Sequence, residues 1–425
     1  MSSKITNVYA REILDSRSNP TIETTVVLES GYWGTASVPS GTSIGTYEAK
    51  ELRDNDAKRY NGMGVLAAVN NVNTTIASKA KGMDALDQRA LDQALIQLDG
   101  TPNKGKLGAN SILSVSLATA VAFSAHQRIE PFRYFNTIFS ALVPTKLLKI
   151  PTPTVNIING GKHGAGNLDF QEFQLVPATS KPFHDALRLS VEVYQATKQI
   201  LKQRNAVYSV GYEGGYAPNL FSNLDALEVI VEAVKLTSYK LGVDTFLGLD
   251  IAASHFKTER GYQTKDKPMA LSTHEFIEYL KELQQKYHLL ILEDALGEDD
   301  WEGWSEITTV FGKETLIVGD DLLATNPERL KKAIDQKSCS AILVKPNQIG
   351  TLSEFLGVIA LARQSGMQII VSHRSGETND SLIADLGVAV QAEYVKFGAP
   401  ARGERVAKYN RLLQIESELK RTPGV

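Results

Sequence analysis

Six polar residues stand at or near the ends of short apolar runs in the second half of the sequence. The runs FLGLD, LLILED, LIVGDD, AILVK, QIIVSH and YVK carry Asp250, Glu293, Asp320, Lys345, His373 and Lys396. Amphipathic helical patterns separate these runs, which is typical of βα units that build a parallel sheet. In a closed barrel of such units the chemistry sits at the carboxyl ends of the strands, so we expect the six side chains to converge there.

The three acidic residues of this set, Asp250, Glu293 and Asp320, predict a metal site. Converging carboxylates repel one another unless a cation lies between them. Oxygen ligands without cysteine or paired histidines select a hard ion, and three carboxylates that leave room for water and substrate suit Mg²⁺. Acidic strand ends can also serve only as helix caps, but three of them in equivalent positions favour the metal.

Lys345 and Lys396 end neighbouring runs, where a buried lysine would be costly as simple packing. Near a divalent cation the pair offers one neutral amine as a base and one ammonium that holds an anion. Either lysine alone could equally be a solvated charge. The triplet that follows QIIVS, His373, Arg374 and Ser375, supplies a guanidinium and a hydroxyl of the kind that hold a phosphate.

Two glycine-rich segments contribute further titratable residues. GKHGAGNLDFQEF contains His163 and Glu172, and VGYEGGYAPN contains Glu213 between glycines. A carboxylate in a glycine-flanked loop is held by backbone geometry and not displayed on a helix. Two carboxylates near a metal site can share a proton, so one of them can act as a general acid near neutral pH. Taken singly, each is more often an ordinary surface residue.

The elements that must position these residues fall into two parts. Three β-rich runs up to about residue 40 predict an antiparallel meander, and helical patterns follow it. The proline-rich segment LLKIPTPTVNIINGG marks a junction. We therefore predict an N-terminal α+β domain over residues 1–140 and an α/β barrel over residues 141–425. Ser272 with Glu275 predicts a capping box, and Asn326-Pro327 predicts another helix start.

Composition narrows the partners. The chain has 425 residues, a net charge of −3 and one cysteine, Cys339, so no basic field favours nucleic acid and no intrachain disulfide forms. The N-terminus lacks a signal-peptide pattern, which favours the cytoplasm. The apolar stretch from Ser111 to Ala125 is too short to span a bilayer, and we expect it to be a buried core helix. No dinucleotide or Walker motif appears. Small molecules are the expected partners.

Eight strings together resemble the enolases over about residues 5–418. They are DSRSNPT, VPSGTSIGTYEA, NIINGGKH, QEF, YEGGYAPN, VKPNQIGTLSE, SHRSGET and GAPARGERVAKYN. The resemblance implies a Mg²⁺-dependent lyase that interconverts 2-phosphoglycerate and phosphoenolpyruvate, a phosphopyruvate hydratase of glycolysis and gluconeogenesis. It also implies an N-terminal α+β capping domain and a barrel of the irregular form ββαα(βα)6.

The same resemblance implies roles for individual residues. Asp250, Glu293 and Asp320 match the ligands of a first Mg²⁺, and Ser43 matches a ligand of a second Mg²⁺ that arrives with substrate. Lys345 matches the base, as expected in a superfamily that pairs a Lys or His base with Mg²⁺ and an ene-diolate. Glu213 matches the acid, with Glu172 and His163 supporting it. The remaining substrate contacts implied are Gln171, His373, Arg374, Ser375 and Lys396.

The chain departs from the usual enolase strings at several positions. They are Ser18, Thr42, Ile44, Tyr212, His255, Ala295 and Phe397. Tyr212 replaces a carboxylate beside Glu213, so we expect retained but slower activity, as in a second paralogue.

Two alternatives remain at this stage. One is a superfamily lyase, racemase or cycloisomerase acting on a non-phosphorylated acid, and the other is an enolase-fold binding protein of low activity. The resemblance also implies a homodimer, with Arg11, Glu23 and the C-terminal helix near the interface, or a higher assembly such as an octamer. The resemblance also allows a secondary surface or secreted pool, as known for some enolases.

Overall fold

The N-terminal part is a three-stranded sheet with helices packed on one face. The computed structural model describes residues 2–41, 47–164, 167–312 and 314–421. The strands β1 to β3 are Ile5–Leu14, Pro20–Leu28 and Trp33–Ser37, and they pair antiparallel in sequence order. The helices α1 to α5 are Leu66–Asn71, Ala77–Ala80, Gln88–Asp99, Ala109–Gln127 and Pro131–Ser140, with a π-helical turn at Val72–Ile76. The predicted meander and the helical region are confirmed.

Helix α4 is the core of this part. It packs against β2 and β3, and it has apolar residues around its whole circumference, as expected for a helix covered on all sides. Its 19 residues would suffice for a membrane span by length and composition, but 83% of its most apolar window is buried inside the protein. The helix is therefore longer than the predicted stretch, and its burial agrees with the expectation of a core helix.

Eight strands close a barrel after the first part. They are β4 (Thr152–Asn159), β5 (Glu172–Pro177), β6 (Thr245–Asp250), β9 (Leu289–Glu293), β10 (Leu316–Gly319), β11 (Ala341–Val344), β12 (Gln368–Ser372) and β13 (Tyr394–Lys396). Around the barrel the order is β10, β11, β12, β13, β4, β5, β6, β9. Strand β5 runs antiparallel to both neighbours, and every other pair is parallel. A two-stranded hairpin, β7 (Lys257–Thr258) with β8 (Gly261–Tyr262), lies outside the barrel.

The helices that surround the barrel follow the predicted signals. They are α6 (Phe183–Gln203), α7 (Asn223–Lys235), α8 (Thr273–Tyr287), α9 (Trp301–Phe311), α10 (Pro327–Gln336), α11 (Leu352–Gln364), α12 (Leu382–Ala389) and α13 (Gly403–Arg421). Two helices separate β5 from β6, which confirms the ββαα(βα)6 form. Ser272 and Glu275 make the predicted reciprocal capping box, and the Asn326 side chain accepts hydrogen bonds at the start of α10.

Apolar side chains fill the barrel below its carboxyl ends. A layer of buried residues from different strands occupies the interior: Val176, Ile291, Val318, Ala341, Leu343, Ile370 and Tyr394. The barrel is thus a packed core and not a pore, and the site can open only at the strand ends.

Backbone hydrogen bonds join the two parts of the chain. Ser40 N donates to Gly376 O, and Gly376 N donates to Ser40 O, both at 2.8 Å, so the segment after β3 forms an antiparallel bridge with the loop after β12. A side chain at Gly376 would lie 2.3 Å from a carboxylate oxygen of Asp15 and 2.8 Å from Ser40 O. The segment between α5, which ends at Ser140, and β4, which begins at Thr152, contains no helix or strand. The domain boundary at residue 140 stays a prediction.

Candidate active site

The six predicted strand-end residues converge at the carboxyl end of the barrel. Asp250, Glu293 and Lys396 are the last residues of β6, β9 and β13. Asp320, Lys345 and His373 directly follow β10, β11 and β12. One cavity is lined by five of these residues, Glu293 excepted, together with His163, Gln171, Glu172, Glu213, Arg374 and Ser375.

Lys396 lies at the centre of the acidic group. Its Nζ is 2.9 Å from Asp250 Oδ2, 2.8 Å from Glu293 Oε1 and 3.2 Å from Glu172 Oε2. Burial alone would lower the pKa of Lys396, but the three carboxylates outweigh it and raise that pKa well above its ordinary value. Lys396 is therefore an ammonium, which suits the predicted contact with an anionic substrate.

Lys345 forms an ion pair with Asp320. Its Nζ is 2.8 Å from Oδ1 and 2.5 Å from Oδ2 of that carboxylate. Burial acts to lower the pKa of Lys345, but the charge of Asp320 raises it overall. A base at this position needs the Asp320 charge to be engaged elsewhere, and a divalent cation bound by Asp320 would supply that condition.

His163, Glu172 and Glu213 form a second buried cluster. His163 Nδ1 is 3.5 Å from Glu172 Oε1 and 3.7 Å from Glu213 Oε1. Burial and then the charge of Glu213 raise the pKa of Glu172 to about 7. Burial also acts to raise the pKa of Glu213, but His163 and His373 outweigh it and leave that pKa well below its ordinary value. The proton held by this pair near neutral pH therefore resides on Glu172.

The loop after β12 presents the predicted anion-binding residues. Arg374 donates from Nη1 to Glu48 Oε2 at 2.8 Å, and both side chains are buried. An added Cβ at Gly41 would lie 1.9 Å from Arg374 Nη2, so a larger residue there would displace this guanidinium from its present position. Glu48 belongs to the string VPSGTSIGTYEA and was not predicted as a site residue. Its place in that string, six residues after Thr42, is the sequence feature that could have indicated it.

Two other predicted residues need separate mention. Gln171 directly precedes β5, and its side-chain amide donates to Asp250 Oδ2 at 3.2 Å. Ser43, expected as a ligand of a second Mg²⁺, lies outside the described residues.

The donor set fits a hard cation. Asp250, Glu293 and Asp320 are 2%, 1% and 7% exposed, so three buried carboxylates share the site. Burial and then the neighbouring Asp250 raise the pKa of Glu293 well above its ordinary value, although Lys396 acts in the opposite direction. Ionised carboxylates at this site are therefore costly without a further cation. A divalent cation would stabilise the ionised carboxylates.

The present side-chain arrangement differs from a closed ligand shell. Among the described residues, two groups bring three potential ligand atoms within 4.8 Å of one another, namely His163 with Glu172 and Glu213, and Asp294 with Asp320 and Asp321. The predicted trio is not one of them, and its carboxylates instead form ion pairs with Lys396 and Lys345. Asp294 is occupied by two backbone N–H groups, from Asp320 at 3.0 Å and Asp321 at 2.8 Å, so it orients the strand end. Asp294 was not predicted as a site residue.

Tyr212 does not contact the acid pair. Tyr212 is 46% exposed, and the centroid of its ring lies 5.4 Å from the guanidinium carbon of Arg17. The carboxylate of Glu213 instead faces His163, His373 and Asn156. At another departure, Ser18 adopts a φ of +62°, the left-handed region that favours the glycine usual in the resembling string. Its backbone is therefore strained.

Family comparison covers nearly the whole chain. The sequence model described as the enolase N-terminal domain matches residues 5–135, and the one described as the enolase C-terminal TIM barrel domain matches residues 147–423. These matches agree with the observed sheet, the closed barrel and the acidic barrel-end site. The chain belongs to the enolase family.

Proposed function

We propose that this chain is a phosphopyruvate hydratase, a carbon–oxygen hydro-lyase that interconverts 2-phosphoglycerate and phosphoenolpyruvate. The observation that carries the proposal is the placement of base and acid on opposite sides of the barrel mouth. Lys345 follows β11, whereas Glu172, which belongs to the acid cluster with His163 and Glu213, begins β5. These strands are separated by three strands in either direction around the barrel. An elimination needs a proton removed on one side of the substrate and a leaving hydroxyl protonated on the other.

The residues divide this work as follows. Lys345 removes the proton at C2, and the cluster of Glu172, His163 and Glu213 delivers a proton to the C3 hydroxyl. Glu172 holds the proton at rest and passes it to Glu213, which faces the leaving group and donates it to the C3 hydroxyl, so that the hydroxyl leaves as water. Lys396 binds the substrate carboxylate through its ammonium.

Arg374 and Ser375 bind the phosphate, and His373 and Gln171 complete the pocket. Arg374 is already oriented by Glu48, so the guanidinium does not have to be ordered when substrate arrives. Phosphate binding by this residue pair is the feature that distinguishes the proposal from a superfamily enzyme acting on a non-phosphorylated acid.

Two Mg²⁺ ions complete the proposal. Asp250, Glu293 and Asp320 would hold the first, and Ser43 would contribute to the second. Bound there, Mg²⁺ neutralises the negative charge that develops on the substrate carboxylate during proton removal.

The test is direct. Purified protein with Mg²⁺ and 2-phosphoglycerate should produce phosphoenolpyruvate, followed by its ultraviolet absorbance, and Lys345→Ala should lower turnover by about 10²- to 10⁴-fold, the usual contribution of a general base. Absence of product across a broad pH range would refute the proposal. If the chain is instead an enolase-fold binding protein of low activity, Lys345→Ala should leave its binding of a partner unchanged.

A homodimer and a cytoplasmic location are part of the proposal. The N-terminal sheet carries an Arg11–Glu23 ion pair at 2.7 Å and two exposed aromatic residues, Tyr9, 50% exposed, and Trp33, 60% exposed. Arg11 is opposite Glu23 and Tyr9 is opposite Thr25, whereas Trp33 is opposite Val27, further along the sheet. Sedimentation equilibrium measures the assembly, with a monomer as the contrary result, and cell fractionation measures the location.

A further inference from the structure

The guanidinium of Arg405 is buried behind the active site. Arg405 lies in the first turn of α13 and is 0% exposed. Its Nη1 donates to Arg374 O at 2.6 Å, and its Nη2 donates to Ser375 O at 2.6 Å and to Tyr212 O at 3.2 Å. One side chain thus joins the anion-binding loop after β12 to the loop that carries Glu213.

The fourth contact of Arg405 is with an imidazole. Arg405 Nη1 lies 2.7 Å from His373 Nδ1. A guanidinium in a protein is always protonated and has only donors, so Nδ1 of His373 must be the acceptor. In a neutral imidazole whose Nδ1 accepts, the ring proton resides on Nε2.

The other ring nitrogen points at the proposed acid. His373 Nε2 lies 3.5 Å from Glu213 Oε2, is buried, and makes no hydrogen bond within the part of the chain that the structure describes. Burial lowers the pKa of His373 to about 4, and the Arg405 cation acts in the same direction, so the ring is neutral under ordinary conditions. A neutral ring has one N–H to donate, and the tautomer decides which of the two ring nitrogens carries it.

We propose that Arg405 is a positioning residue that fixes His373 in the neutral Nε2–H tautomer and so aims an N–H donor at the carboxylate of Glu213. With the opposite tautomer, the lone pair of His373 Nε2 would face a lone pair of the Glu213 carboxylate, and the Nδ1–H would face an N–H of Arg405. The ring would rotate or Arg405 would withdraw. The effect of this tautomer on turnover rests on the proposed function, whereas the tautomer itself does not.

Close packing supports a fixed arrangement. An added Cβ at Gly398 would lie 2.6 Å from Glu213 O, 3.0 Å from His373 Cε1 and 3.2 Å from Arg405 Cδ. These three groups therefore meet around a residue without a side chain, which leaves the imidazole little freedom to turn.

The experiment reads the tautomer directly. Protein labelled with ¹⁵N-histidine is studied by long-range ¹H–¹⁵N NMR near pH 7, and His373 is assigned from the signal lost in His373→Asn. We expect a protonated Nε2 and an unprotonated Nδ1. Arg405→Met should mix the tautomers, and Arg405→Lys, which keeps a charged donor, should restore the Nε2–H form at least in part.

A matched control uses the arginine at the other end of the barrel. Arg363 pairs with Glu393 and donates to the carbonyls of Val390 and Gln391, so Arg363→Met also removes a guanidinium that binds backbone. Arg363→Met should leave the His373 signals unchanged. In turnover assays Arg405→Met should lower kcat on the order of ten- to a hundred-fold, with a smaller effect of Arg405→Lys.

Three results would overturn the inference. They are an Nδ1–H or doubly protonated His373 in the wild-type protein, an unchanged tautomer in folded Arg405→Met, and an equal effect of Arg363→Met. If Arg405→Met fails to fold, the wild-type spectrum and Arg405→Lys decide. If the protein does not convert 2-phosphoglycerate, the NMR result still stands, so failure of the inference and failure of the proposed function are separate outcomes.

Discussion

Gly398→Ala should damage the active site through geometry alone. Gly398 has a φ of +81°, and an alanine there costs about 1–2 kcal/mol in the free energy of unfolding for its backbone conformation. The added Cβ would also lie 2.6 Å from Glu213 O. Ordinary carbon–oxygen contacts are about 3.3–3.6 Å, so the loop that carries Glu213 must move by roughly 0.7–1 Å.

The two costs can be separated by a second glycine. Gly366, at the end of α11, has a φ of +77° and no atom within 4 Å of an added Cβ, so Gly366→Ala has the backbone cost only. Overpacking adds about 1–3 kcal/mol at Gly398. A misplacement near 1 Å also lowers turnover on the order of 10²-fold.

Urea unfolding and the phosphoenolpyruvate assay measure both quantities for the two variants. We expect Gly398→Ala to lose about 2–5 kcal/mol and most of its turnover, and Gly366→Ala to lose about 1–2 kcal/mol with its turnover intact. The reasoning is wrong if Gly398→Ala is as stable as Gly366→Ala and turns over like the wild type.

Three further predictions concern charge. Lys396→Met leaves three buried carboxylates without their ammonium partner and should lower the free energy of unfolding by about 3–5 kcal/mol in the absence of metal. Mg²⁺ should stabilise this variant more than the wild type in thermal unfolding. Equal stabilisation of the two proteins would count against the metal site. Tyr212→Asp should change kcat/KM by roughly two-fold or less, about 0.5 kcal/mol, because the phenol contacts Arg17 and not Glu213; a change of tenfold in the kinetic assay would support the expected slowing by Tyr212. Burial raises the pKa of Asp92 to about 6, above its value in the unfolded chain. The ionised side chain therefore destabilises the fold by about 3 kcal/mol at pH 7, and this penalty declines as the pH falls from 7 to 4. Asp92→Asn should remove that pH dependence of the free energy of urea unfolding, and curves of stability against pH that run parallel for variant and wild type would contradict the prediction.

Much of the barrel could be predicted because its chemistry is tied to strand ends. Each of Asp250, Glu293, Asp320, Lys345 and Lys396 follows a short apolar run, and strand direction alone brings such residues to one face. The antiparallel entry through β5 could not be found from periodicity, because a buried strand has the same apolar pattern in either direction. Family resemblance supplied it.

Pairings between distant side chains were beyond the sequence. Asp320 was predicted as a metal ligand, but its ion pair with Lys345 depends on the spacing of two neighbouring strands. Glu48 and Arg405 stand in strings that were noted as typical of the family, yet an isolated glutamate and an arginine on a helix give no sign that they orient Arg374 and His373. Such roles come from three-dimensional proximity.

The reciprocal backbone bridge between Ser40 and Gly376 has a consequence for how the protein matures. The two residues lie far apart in the sequence, so the bridge forms only after synthesis of nearly the whole chain, while the N-terminal sheet can form earlier. Its loop after β12 carries Arg374 and Ser375, whose carbonyls Arg405 still holds from within the barrel. A barrel without its docked N-terminal part nevertheless lacks both the Ser40 bridge and the Glu48 carboxylate that orients the Arg374 guanidinium. Catalytic competence then arises only when the N-terminal part docks onto the barrel. On refolding, recovery of enzymatic activity should therefore lag behind recovery of the circular-dichroism signal of the helices.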